Sequence, residues 1–174
     1  MRKLLLALAA AAALAWPAAA QVSTSQVSVT PASAAYSAAQ CIGGVLTVPD
    51  MVRTGRFVSG AIIVDVDIVD TSATNATIDL LVFSQAPTGT YTDRTACVVA
   101  AADQAFLQGA IFGSSFTCAV DSGSATGICR ATPALAITQK SSTNNALWFL
   151  PIMRSTPTYG TGKTLFFNIT AVPQ

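Results

Sequence analysis

Alternation of apolar and polar side chains with a period of two dominates this chain. Residues 57–69 predict a long strand, with Ile62, Val64, Val66 and Ile68 on one face and Asp65 and Asp67 on the other. Residues 76–84 repeat the pattern: Ile78, Leu80 and Val82 share one face, and Thr77, Asp79, Leu81 and Phe83 share the other. Further strands are predicted at Val27 to Val29 before Pro31, over 42–48 behind the bulge-prone pair Gly43-Gly44, and around 111–120. Others follow over 128–132, 145–153 and 164–172, the last with Leu165, Phe167, Ile169 and Ala171 on one face. Residues 100–108, with Asp103 near their start, form the one predicted helix. Pro87-Thr88-Gly89 and Tyr159-Gly160-Thr161-Gly162-Lys163 read as connections. Short strands between Gly, Pro, Ser and Asn turns predict an all-β fold: a single antiparallel β-sandwich or jelly-roll-like domain with one short helix.

The N-terminus follows a different pattern. Arg2 and Lys3 precede an unbroken apolar run from Leu4 to Trp16; Pro17 breaks it, and Ala18-Ala19-Ala20 supply small residues before Gln21. That order predicts a secretory signal peptide over 1–20, cleaved after Ala20, ahead of a β-sandwich domain over 21–174. The apolar run is too short for a helix that must cross roughly 30 Å of hydrocarbon, so no membrane span is expected after cleavage. No Cys follows the small residues, which argues against a lipid anchor. The expected location is secreted or periplasmic.

Composition narrows the chemistry. Charged residues make up 10% of the chain and apolar residues 52%, against about a quarter charged in an ordinary soluble domain. Removing Arg2 and Lys3 leaves seven basic against eight acidic side chains, nine less two, and hence a net charge near −1. Such a balance gives no electrostatic case for nucleic acid as a partner. There is no His and no Glu; the carboxylates are Asp50, Asp65, Asp67, Asp70, Asp79, Asp93, Asp103 and Asp121. Without His, the Ser-His-Asp and Cys-His devices are excluded, and the commonest general base and zinc ligand is missing. No catalytic residue, cofactor or metal is expected. Ser, Thr, Ala, Gly and Asn fill the charge deficit, which suits a surface that packs against copies of itself or another assembly.

Cys41, Cys97, Cys118 and Cys129 are an even set in an exported chain, with three possible pairings. The turn-rich segment between Cys118 and Cys129 favours that pair, leaving Cys41 with Cys97. Trp148 and Phe149 are neighbours on a predicted strand and so point to opposite faces; the outward one is the preferred interface anchor. Asp65, Asp67 and Asp70 suggest clustered oxygen ligands for calcium, but the first two fit better as outward strand charges that Arg53 and Arg56 would balance. Tyr91, Asp93 and Asp121 define the alternative, a loop site for carbohydrate or calcium in an exported ligand-binding module. Asn75-Ala76-Thr77 and Asn168-Ile169-Thr170 match the glycosylation pattern, the second within a predicted strand.

Several segments taken in order resemble a known family. Ala34-Ala35-Tyr36-Ser37-Ala38-Ala39-Gln40-Cys41-Ile42-Gly43-Gly44 introduces the first half. Leu80-Leu81-Val82-Phe83-Ser84-Gln85-Ala86-Pro87-Thr88 closes a strand into a turn, and Tyr91-Thr92-Asp93 precedes Ala101-Ala102-Asp103. Leu147 to Met153 then leads into Arg154-Ser155-Thr156-Pro157-Thr158-Tyr159 and a final strand. This order resembles small structural proteins of tailed bacteriophages, of the head or its decoration. The resemblance implies a virion component that catalyses nothing, and it brings no catalytic or metal residues with it. A signal peptide and an even cysteine set distinguish the chain from proteins assembled in the cytoplasm. An exported copy of phage origin accommodates both.

Overall fold

The computed structural model describes residues 22–52, 60–120, 125–138 and 145–174. Over these the chain forms ten strands in two antiparallel sheets: β1 (Ser23–Val29), β2 (Leu46–Val48), β3 (Gly60–Asp70), β4 (Ile78–Phe83), β5 (Leu107–Ile111), β6 (Thr117–Val120), β7 (Gly127–Ala131), β8 (Leu135–Thr138), β9 (Leu147–Met153) and β10 (Leu165–Pro173). The larger sheet runs β1-β10-β3-β7-β6, with β8 pairing the start of β3 on the side that β7 occupies further along. The smaller sheet runs β2-β9-β4-β5. The predicted all-β sandwich is the observed fold.

The apolar faces explain why the sheets stack. Leu165, Phe167, Ile169 and Ala171 of β10 meet Ile78, Leu80 and Val82 of β4 and Leu147, Phe149 and Met153 of β9 in one continuous core. Each of those strands turns every second side chain into this core; in β10 the alternate residues are only partly buried, whereas β9 is buried along its whole length. β3 departs from the simple alternation. Ala61, Ile63, Val66 and Ile68 are the core residues, so Ile62 and Val64 do not share the face of Val66 and Ile68 as the sequence pattern suggested. The register slips opposite Thr170 and Ala171, which pair with Asp65 and Ile63, leaving Val64 as an extra residue. That bulge reverses the inside–outside phase along the strand.

Three further expectations change. The helix predicted over 100–108 is a single 3-10 turn, Gln104–Phe106, running straight into β5. The strand expected around 111–120 divides into the end of β5, a second 3-10 turn at Gly113–Ser115, and β6. The strand expected over 42–48 is confined to Leu46–Val48. Gly43 turns the chain before it with a φ of 67°, and an added Cβ there would collide with Val29 Cγ2. Pro151 shares the responsibility. Its carbonyl accepts from the Ile42 N–H, but proline has no N–H to return, so pairing beside Cys41 shrinks to an isolated bridge with Ile152. The start of the strand expected from Phe57, together with Arg53, Arg56, Asp121 and residues 1–20, lies outside the described residues.

Candidate functional site

The smaller sheet is covered on both faces, and the second cover is built from loops. Phe83 and Leu81 of β4, with Trp148 and Leu150 of β9, point away from the main core. They pack with Cys41, Ala146, Val45, Tyr91, Cys97, Val99, Phe106 and Leu107. All seven residues of β9 are therefore buried. Trp148 and Phe149 do point to opposite faces, but the outward one is no interface anchor. Trp148 is 6% exposed beneath the segment between β4 and β5, and Phe149 lies in the main core.

Two carboxylates and a disulfide hold that covering segment. The Asp103 carboxylate is fully buried and accepts four hydrogen bonds. Thr88 donates through its N–H at 2.7 Å and its hydroxyl at 2.9 Å, Gly89 through its N–H at 2.9 Å, and Tyr91 through its hydroxyl at 2.7 Å. Burial by itself would raise the Asp103 pKa, yet these donors outweigh it and bring the group down to about 2. The Tyr91 hydroxyl also accepts from the Ala100 N–H, and burial together with its bond to Asp103 pushes its pKa up. Asp93 ties the same segment to the N-terminal half. It accepts from the Gly43 N–H at 2.6 Å, the Ala32 N–H at 3.1 Å and the Tyr36 hydroxyl at 2.7 Å. Cys41–Cys97 completes the attachment. The pair proposed as a ligand-binding loop, Tyr91 and Asp93, thus spends its polar atoms inside the protein.

The remaining acidic residues follow the same habit. Asp70, at the buried end of β3, accepts from the N–H and hydroxyl groups of Ser72 and Thr74, closing the turn that leads to β4. It faces inward, whereas Asp65 and Asp67 lie on the outer face, where Arg130 of β7 bonds the first and lies 3.4 Å from the second. The hydrogen bond from Arg130 lowers the pKa of Asp65. The three carboxylates therefore do not converge, and among the described residues no group of three potential ligands could hold a metal. Asp79 accepts from the Gly113 N–H at 2.6 Å and pairs with Arg154 at 2.6 Å. Tyr36 and Tyr159 meet edge to face, with ring centroids 5.7 Å apart. The Tyr159 hydroxyl is buried near Thr74 without a well-formed hydrogen bond, and burial pushes its pKa up to about 12.

Both disulfides form with the favoured pairing. Cys118–Cys129 joins directly opposed residues of β6 and β7, and Cys41–Cys97 spans 56 residues. They fit an extracellular or periplasmic protein. Among the described residues no helix is long and apolar enough to cross a membrane. Asn75 is exposed with a φ of 47°, whereas Asn168 receives a hydrogen bond from Gln26 on the outer sheet face. The Arg130 and Arg154 pairings escaped the sequence reading because each joins residues far apart in the chain. The Ile128–Arg130 alternation was the one available hint.

The outer face of the larger sheet carries an apolar row crossing four strands in register: Phe166, Val69, Ile128 and Ala119. Beside it runs a polar row of Gln26, Asn168, Asp67, Arg130 and Thr117. No family model, curated protein or solved structure matches the chain.

Proposed function

We propose that this is an exported, non-enzymatic structural protein that works by association, either with copies of itself or with a cell-envelope or virion assembly of the phage-like kind its segments resemble. One observation carries the reading. In a chain without His or Glu, the carboxylates of Asp65, Asp67, Asp70, Asp79, Asp93 and Asp103 are all engaged by donors of the protein itself. A general base or cation ligand needs free lone pairs, and these groups are occupied either in holding loops or in pairing with Arg130 and Arg154. What remains outside is a surface of Ser, Thr and small apolar residues, with opposite charges placed side by side, which is suited to contact. Export with cleavage after Ala20 is part of the proposal and agrees with the oxidised cysteines.

Size-exclusion chromatography with light scattering on the exported protein tests association, and intact mass before and after alkylation tests export. The expected results are oligomers whose size rises with concentration, a mass starting at Gln21, and no free thiol. A strict monomer without an assembly partner would overturn the association reading. Retention of 1–20 with four alkylatable thiols would overturn the export reading. Calcium- or glycan-dependent melting would favour the ligand-binding alternative, since a ligand that binds only the folded state raises its stability.

A further inference from the structure

We infer that the free edge of β6 is a self-association site at which two copies pair antiparallel across a two-fold axis through Ala119. This rests on the association reading above and specifies its surface and partner.

The edges of the two sheets are not equivalent. β2 has three residues. Beside β5, the Gln108 side chain accepts from the Thr138 N–H of β8, and Leu135 packs against Gly109. β1 is held by the Ser23 hydroxyl, which donates to the Asp50 carbonyl, and by Val29 under Gly43. In β6 all four residues are exposed, and among the described residues only β7 pairs with it. Natural edge strands are commonly blunted by charge, proline or a bulge. Thr117-Cys118-Ala119-Val120 has none of these. Exposed apolar side chains gather at the same place. Val120 is 47% and Ile128 48% exposed, and Phe112, at the start of the turn leading into β6, is 59% exposed.

The ladder geometry selects the register. Cys118 and Cys129 face each other with 3.9 Å between their Cα atoms, the narrow spacing of a pair that does not exchange backbone hydrogen bonds. The N–H and C=O groups of Cys118 and Val120 therefore point away from β7, towards the free edge. A two-fold axis through Ala119 sets Cys118 of one copy against Val120 of the other, and the reverse, so these groups exchange four hydrogen bonds. The same register continues the apolar row Phe166, Val69, Ile128 and Ala119 into its equivalent on the second copy. Among the described residues the nearest charge, Arg130, is already neutralised by Asp65 and Asp67, so it sets no unpaired like charges against each other there. A contact this small falls short of the roughly 800 Å² per partner of stable complexes, so the association is concentration-dependent.

Sedimentation equilibrium on the exported, disulfide-intact protein tests the inference, with A119K as the disrupting variant and T24K as its control. T24K places the same charge on the same sheet face at the opposite edge. The expected result is a dimer that A119K weakens by more than about tenfold and T24K leaves unchanged. Hydrogen exchange should show the Cys118 and Val120 amides slowing as concentration rises, while those of Thr117 and Ala119 do not. Self-association that A119K leaves intact, or that T24K weakens equally, would overturn the β6 assignment while leaving the association reading standing. A wild-type monomer at every accessible concentration would overturn both.

Discussion

Replacing Asp103 by Asn tests whether a carboxylate, rather than apolar burial alone, secures the cover over the smaller sheet. The carboxylate accepts two N–H and two O–H groups from Thr88, Gly89 and Tyr91. An asparagine can present only one acceptor oxygen, and its amide nitrogen would face donors. Hydrogen bonds to a charged group contribute about 1.5–3 kcal/mol each, but burial of the charge offsets much of their sum. The depressed pKa measures what survives: a fall from 3.8 to about 2 corresponds to about 2 kcal/mol. Because the folded pKa lies below the unfolded one, this contribution is complete above the unfolded value and is lost as the pH falls through the folded one. Urea unfolding followed by Trp148 fluorescence is the assay, since Trp148 and Tyr91 share the covered cluster. Asp103→Asn is expected to lose about 2 kcal/mol near neutral pH. Its deficit against wild type should narrow steadily as the pH falls from about 4 to about 2. Equal stability at neutral pH, or a deficit that does not narrow in acid, would refute the reasoning.

Three further predictions concern the scaffold. Trp148→Ala should cost about 3–5 kcal/mol in urea unfolding followed by far-UV circular dichroism, as a buried aromatic does and an exposed interface residue does not; a loss below about 1 kcal/mol would contradict its place in the second cluster. Gly43→Ala combines a φ of 67° with a Cβ forced against Val29, and a cost of about 2 kcal/mol or more is expected; a neutral substitution would refute the close approach. Mild reduction followed by alkylation and mass mapping should open Cys118–Cys129 first, because Cys118 is exposed while Cys41 is fully buried. Earlier labelling of Cys41 and Cys97 would reverse that ranking.

The strands legible in the sequence were those with one unambiguous apolar face. β4 and β10 show it, and the faces expected for Ile78, Leu80 and Val82 and for Leu165, Phe167, Ile169 and Ala171 are those observed. β3 was legible as a strand but not in phase, because the contiguous Ile62-Ile63-Val64 satisfies either alternation and nothing local announces the bulge. The disulfide between Cys118 and Cys129 could be anticipated from the short turn-rich loop between them. Residues 100–108 misled because an Ala-rich segment with an early Asp looks like a helix start. Asp103 instead faces back to Thr88 and Gly89, an attachment that no periodicity encodes. Trp148 was misjudged for a related reason. An outward strand residue is exposed only if nothing covers it, and the cover here comes from a segment whose turns and Ala residues read as solvent-facing loop.

The way this chain uses its few charges connects fold to function. Irregular segments must find partners for their backbone N–H groups without a sheet ladder. Asp70, Asp93 and Asp103 supply them, each gathering at least two N–H groups from a loop. The long excursions at 71–77 and 84–106 are thereby fixed with no more helix than the single 3-10 turn at Gln104–Phe106, and the acidic groups are drawn into the fold. Arg130 and Arg154 then pair with Asp65, Asp67 and Asp79, so neither arginine is left as an isolated exposed cation. Pairing of backbone groups needs no side-chain charge at all, and a strand edge supplies it. The same economy of charge leaves Thr117 to Val120 with no charged side chain of their own. Restoring a single positive charge at Ala119 is therefore the smallest change that should separate association from folding, since it adds repulsion between copies at a position where no packing inside one copy is lost.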